Sequence, residues 1–350
     1  MKSKNRYWAV CLAINLPTLF KSVSWLLKFA IFAVNGTAIF YVVSLLARAT
    51  PKQSAYDVFV KFVNETGWSS NGAVFLLGLL PGCATLGAFD NVIHLADEME
   101  APARQLPQVI VGSFLLSFAV GIPMIMVYEF CNVDPESLLK PYGGQPIVQL
   151  LFNAHRMVPL STLAVTLLIF CFFIAAAATL ISVSRLYRSF SCQGLLPFHK
   201  TMSKLSSRDE LPLNALLFVT FIVLVLGTIE LGSKLAMHAL IGGASLCLIS
   251  TLALSIATAL YKGREALDPD RYFNLGVWGT PLYIISILWS IMVSVLLSMP
   301  LYLPVTPEGM KYTCVIFGGL MVLAAVYWVF GVRKQASISN ATHQGGAAEE

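Results

Sequence analysis

Charge is scarce in this 350-residue chain: 12% of residues are Asp, Glu, Lys or Arg, against 57% hydrophobic, with a mean hydropathy of +0.74. A soluble domain carries about 25% charged residues, so this composition excludes a water-surrounded globule and reads as a polytopic membrane protein. Segments of about ten alternating residues, the signature of a membrane barrel, are absent. The seven cysteines show no CxxC spacing and fall mostly in apolar runs, where cysteine is a small apolar residue, so neither a disulfide framework nor a zinc site is assigned. No HExxH motif or Cys/His cluster supplies a metal site, and no cofactor motif is present. Basic runs with interleaved aromatics are also missing, so the net charge of +5 is not a nucleic-acid footprint.

What is present is apolar length. Eight runs reach the roughly 20 residues that a spanning helix needs, at 19–47, 71–95, 109–127, 158–186, 211–229, 235–261, 276–303 and 312–332. The expected fold class is an all-α membrane bundle, with a spanning domain at 18–334. Residues 1–17 read as the stub of a further helix stopped near Pro17, because their apolar stretch lacks a convincing cleavage site. Residues 335–350, rich in Ala, Ser and Gly, read as a disordered tail. Eight spans put both termini on one side. Of the 23 Lys and Arg, 15 lie on that side, seven lie opposite and Lys28 lies inside a span, so the termini are expected in the cytoplasm. Asn64-Glu65-Thr66, an acceptor sequon, then falls outside. Nothing in the sequence fixes an oligomeric state.

The second run is the unusual one. Pro81-Gly82 removes a backbone donor and loosens the helix, and Gly87 weakens it again before Asp90. Asp90, His94 and Glu98 follow at i, i+4 and i+8, which places them on one stripe of a continuing helix. Interrupted backbone in hydrocarbon is tolerated where it lines a cavity or finds protein partners, and discontinuous helices at mid-membrane build the sites of many transporters. Two plainer readings stand beside this one: a proline kink satisfied by neighbouring helices, and a solvated helix end for the last carboxylates. Lys28, about seven residues inside the first span, is either a desolvated lysine suited to proton coupling or a side chain snorkelling to the headgroups. Ser24 with Lys28 at i+4 also has the spacing of a serine-lysine hydrolase dyad, although no glycine-rich oxyanion segment accompanies it.

The run Phe89-Asp90, His94, Asp97-Glu98, Pro102, Arg104 and Pro107 resembles the G-F-D-x-x-x-H-x-x-E-E-x-x-x-P-x-R-x-x-P pattern of fungal permeases in the amino acid, polyamine and organocation transporter superfamily. The choline and 4-aminobutyrate permease branch is the most similar. The likeness continues through AYDVFVKFVNETGW at 55–68, then Ser184-Arg185, Gly194, Pro197 and Leu211-Pro212. It departs at Ala88, where the family has glycine, and at Cys192-Gln193, where the family has Arg-Asp. The resemblance implies an inverted-repeat fold of five plus five plus two helices, with the eight spans corresponding to family helices five to twelve and the first three missing. It implies a secondary transporter in the plasma membrane for a small amine-bearing solute, an amino acid, choline, 4-aminobutyrate or a polyamine, with protons as the coupling ion. An alternative is a non-transporting remnant, because the family's site is shared with its broken first helix. The expected substrate-side residues are Gly82, Cys83, Ala84, Thr85, Gly87, Phe89 and Asp90. Lys28, His94, Glu98, Arg104 and Arg185 are the coupling or gating candidates. Carbonyls ending the first half-helix favour an ammonium group, and Phe89 offers a cation–π face to a quaternary one.

Overall fold

The computed structural model describes residues 23–85, 91–93, 96, 99–141, 144–196, 198–205, 212–263, 271–307 and 309–332. Both expected terminal segments, 1–17 and 335–350, lie outside the described residues. Among the described residues there are helices and no strands. In chain order they are α1 (Val23–Arg48), α2 (Ala55–Phe59), α3 (Asn71–Gly78), α4 (Leu80–Thr85), α5 (Pro102–Phe130), α6 (Pro135–Leu139), α7 (Pro146–His155), α8 (Val158–Cys192), α9 (His199–Met202), α10 (Leu213–Gly232), α11 (Lys234–Lys262), α12 (Gly279–Ser298) and α13 (Thr313–Tyr327). Seven of the helical segments are long and apolar enough to cross a membrane. The protein is an all-α, multi-pass membrane bundle.

Helix ends differ from the apolar runs for local reasons. α5 starts seven residues before its apolar run, because Pro102 occupies the first helical position, where its missing N–H costs nothing. α8 runs for 35 residues, about 52 Å at 1.5 Å per residue, so it outlasts a ~30 Å hydrocarbon core. Hydroxyls inside the spans bond their own backbone: Thr37, Thr166, Thr179, Ser245, Ser290 and Ser294 each donate to the carbonyl four residues earlier, at 2.7–2.9 Å. That removes the desolvation cost of an unpaired hydroxyl in lipid. Ile31, Phe32, Ile39, Leu115, Phe172, Leu288 and Leu323 point outward, as lipid-facing side chains do.

Two packed groups organise the bundle. In the first, α1 lies against α5, α7 and α8, and α8 continues onto α9 and α10. Its core joins Tyr41 and Leu45 of α1, and Ala49 just after it, to Leu151 and Ala154 of α7, Ala164 of α8 and Cys131 at the end of α5. The alanines let the backbones approach, and the Tyr41 hydroxyl donates to the Ala164 carbonyl at 2.8 Å. In the second group α11 packs on α12 and α13, and α10 links the two groups. Gly242 and Gly243 make the α11–α13 approach possible: a Cβ on Gly242 would stand 2.7 Å from Thr313 Oγ1, and one on Gly243 would stand 2.5 Å from Ile316 Cγ2.

The end of α7 buries a titratable group. His155 is fully buried, its Nε2 lies 3.2 Å from Ser44 Oγ, and its Nδ1 has no hydrogen-bond partner. Burial first, and the Arg48 guanidinium second, hold this imidazole below its ordinary value of 6.5. The folded state therefore prefers neutral His155, and below pH 6.5 the unfolded chain binds the extra proton. Stability is fully present above the unfolded value and declines as pH falls from 6.5 toward the lowered folded value. Thermal unfolding in detergent should show a midpoint that is flat at neutral pH and falls below it. His155→Gln should flatten that dependence, and a wild-type midpoint that stays level across the acid range would contradict the assignment.

Candidate functional site: the interrupted second span

The second apolar run does not form one helix. α3 begins with the Ser70 side chain accepting from the Ala73 N–H at 3.4 Å and ends at Gly78. Leu79 then donates to the Leu76 carbonyl three residues back, at 3.1 Å, before α4 starts at Leu80. Pro81 is the second residue of α4, so its ring sits in a first turn where proline is tolerated, and it has no N–H to return to the Leu77 carbonyl. Leu79 itself keeps right-handed helical φ and ψ of −75° and −20°, so the interruption is a single irregular turn at Leu79, two residues before Pro81 of the pair that sequence reasoning marked. Gly82, Cys83, Ala84 and Thr85, expected as unwound backbone, are helical. The Cys83 N–H donates to the Leu79 carbonyl at 3.0 Å, and Thr85 Oγ1 donates to the Pro81 carbonyl at 2.8 Å.

This short helix presents an open face. Gly82, Ala84 and Thr85 are exposed, and a Cβ added to Gly78 or Gly82 would meet nothing within 4 Å. α4 packs on α12, and Leu77 is the buried anchor of α3. Further on, Asn91, Val92 and Ile93 form a 3-10 turn where the sequence suggested α-helix to residue 95. Gly87, Phe89, Asp90, His94 and Glu98 lie outside the described residues. No group of three or more metal-ligating side chains occurs among the described residues.

The remaining candidates are spread along the bundle. Lys28, expected as a buried charge, is exposed on α1. The adjacent Phe29 meets Phe170 edge-on at 6.5 Å, which sets Lys28 near the level of Phe170 on α8. Arg185 is half-buried 15 residues beyond Phe170 on the same helix, about 22 Å along the axis, so the two cations do not share a site. Arg104 is exposed at the start of α5, with its guanidinium 5.5 Å from the centre of the Tyr272 ring, while Gln108 Nε2 donates to the Tyr272 hydroxyl at 3.0 Å. Tyr272, from the segment before α12, escaped sequence reasoning because a lone loop tyrosine carries no signal of its partner. Ser24 belongs to α1, but its side chain is outside the described residues.

Residues 8–320 match the family described as amino acid permease. A choline transporter of Saccharomyces cerevisiae is 27% identical over 326 residues, covering 93% of this chain and 56% of that protein. Amino-acid permease 2 of Neurospora crassa is 26% identical, covering 84% of this chain and 55% of its own length. An amino-acid permease BAT1 homolog of Oryza sativa subsp. japonica is 30% identical, covering 89% and 62%. The chain thus spans a little over half the length of these relatives. With the family match extending over most of an apolar helical bundle, the chain belongs to the amino acid permease family.

Proposed function

We propose that the protein takes part in secondary transport of a small amine-bearing solute, an amino acid, choline, 4-aminobutyrate or a polyamine, across the plasma membrane with protons as the coupling ion. The observation that carries this reading is a permease match over residues 8–320 on a bundle whose second span is interrupted at Leu79. In this reading the carbonyl end of α3 supplies partial negative charge, and the exposed face at Gly82 to Thr85 lines the solute path. Phe89 supplies an aromatic face for a quaternary ammonium, and Asp90 supplies the counter-charge. His94, Glu98, Arg104 and Arg185 are the coupling and gating residues of this reading, whereas Lys28, exposed on α1, has lost the burial on which a coupling role was argued. Relatives named for choline and for amino acids support the substrate class.

The deciding experiment joins the chain to the upstream helices of the choline-transporter relative and measures uptake of labelled choline and amino acids in cells lacking their own permeases. Saturable uptake that rises with an inward proton gradient is expected. Normal membrane abundance with no amine taken up would sink the reading.

Orientation is part of the proposal, with the termini in the cytoplasm. Glu65→Cys, at an exposed position, should react with a membrane-impermeant thiol reagent added to intact cells, whereas Lys200→Cys should react only after permeabilisation. The reverse pattern would invert the bundle.

A further inference from the structure

The loop before α3 is tied to the turn after α12 by a relay of hydrogen bonds. The Leu303 N–H donates to the Thr66 carbonyl at 2.8 Å, and Trp68 Nε1 donates to the Pro300 carbonyl at 3.3 Å. Inside the loop, Asn64 Oδ1 accepts from the Thr66 N–H at 3.1 Å and from Thr66 Oγ1 at 2.8 Å. Asn64 Nδ2 donates to the Trp68 carbonyl at 2.8 Å and to Asn71 Oδ1 at 3.2 Å. Asn71 is the first residue of α3. The Asn64 side chain thus connects the contact at Leu303 to the start of the half-helix that ends at the interruption.

Gly67 makes the approach possible. Its φ of +82° belongs to the left-handed region, and a Cβ there would overlap the Leu303 carbonyl. A side chain at this position is therefore excluded twice, once by its own backbone and once by the facing backbone. The contact spans more than 230 residues of sequence and joins two segments that would otherwise be independent loops.

We propose that Asn64, Gly67 and Trp68 are positioning residues that hold the start of α3 fixed to the turn after α12 throughout the transport cycle. This rests on the transport reading above. An anchor and a gate built from these contacts behave oppositely when locked. An anchor is indifferent to a covalent bond across it, and a gate stops.

The test uses the pair Thr66→Cys and Leu303→Cys in the chain joined to its relative's upstream helices, assayed reduced and oxidised. Uptake by the oxidised protein should remain within about twofold of the reduced protein, whereas a tenfold or greater loss restored by reductant would overturn the anchor. Hydrogen exchange supplies a readout that needs no transport. The Leu303 amide should be protected equally with and without saturating choline, and Trp68→Phe should speed its exchange at least about tenfold. If the reduced protein takes up no amine, the transport reading fails on its own. The anchor then stands or falls on Leu303: exchange as fast in the wild type as in Trp68→Phe, or accelerated by choline, would overturn it.

Discussion

Replacing Asp90 by asparagine should lower uptake of a cationic or zwitterionic amine by at least about tenfold, with membrane abundance close to that of the wild type. Asparagine keeps the size and most of the hydrogen-bonding capacity and removes only the charge. A carboxylate and an ammonium 4 Å apart attract by about 4 kcal/mol at an effective dielectric of 20, and a tenfold rate change needs only about 1.4 kcal/mol, so even a partly hydrated pair exceeds the predicted loss. The comparison of abundance with uptake separates the two roles open to a carboxylate in an apolar run. A structural Asp90 would show its loss in folding yield, and a charge merely tolerated near the interface would show no loss at all. The measurement is initial uptake rate normalised to surface protein, in the chain joined to its relative's upstream helices.

Truncating Leu151 to alanine should destabilise the first helical group by about 2–5 kcal/mol. Leu151 is fully buried on α7 among Tyr41, Leu45, Ala154, Ala164 and Cys131, and its backbone carbonyl accepts from Ser161 Oγ at 3.3 Å. Among these neighbours the tyrosine is pinned by its hydroxyl to Ala164 and the alanines have only a methyl group, so the site collapses poorly onto the cavity. A lowered midpoint of thermal or denaturant unfolding in detergent is the expected result. A shift no larger than that of the exposed Leu163→Ala control would show that α7 is not part of the folded core.

Much of the architecture was legible in apolar length, because a span in lipid needs about 20 apolar residues whatever its neighbours are. Helix ends were less legible: Pro102 starts α5 in a polar stretch, and α8 leaves the hydrocarbon without any change in helical preference. The interruption of the second span was visible in Pro81-Gly82 but displaced, since proline at the second position of α4 is accommodated and the irregular turn falls on Leu79 before it. Arg104 was singled out by resemblance, whereas its partner Tyr272, 168 positions later, was not. The same holds for Trp68 with Pro300 and for His155 with Ser44: contacts between distant segments leave no local periodicity to read. The α4 face shows the converse. Gly82, Ala84 and Thr85 were chosen for an unwound backbone, and the structure instead makes them neighbours on an exposed helical turn.

The central claim is that the exposed face of α4 lines the path of an amine solute. Its most direct test is the rate at which a water-soluble thiol reagent modifies Thr85→Cys, in a background where the reactive native cysteines are serine, measured with and without saturating choline or amino acid. Thr85 is exposed at the end of α4, so modification is expected without solute and should slow several-fold when the solute occupies the path, while Tyr261→Cys on α11, also exposed, is unaffected. An unchanged rate at Thr85→Cys in a protein that continues to take up the same solute would contradict the account.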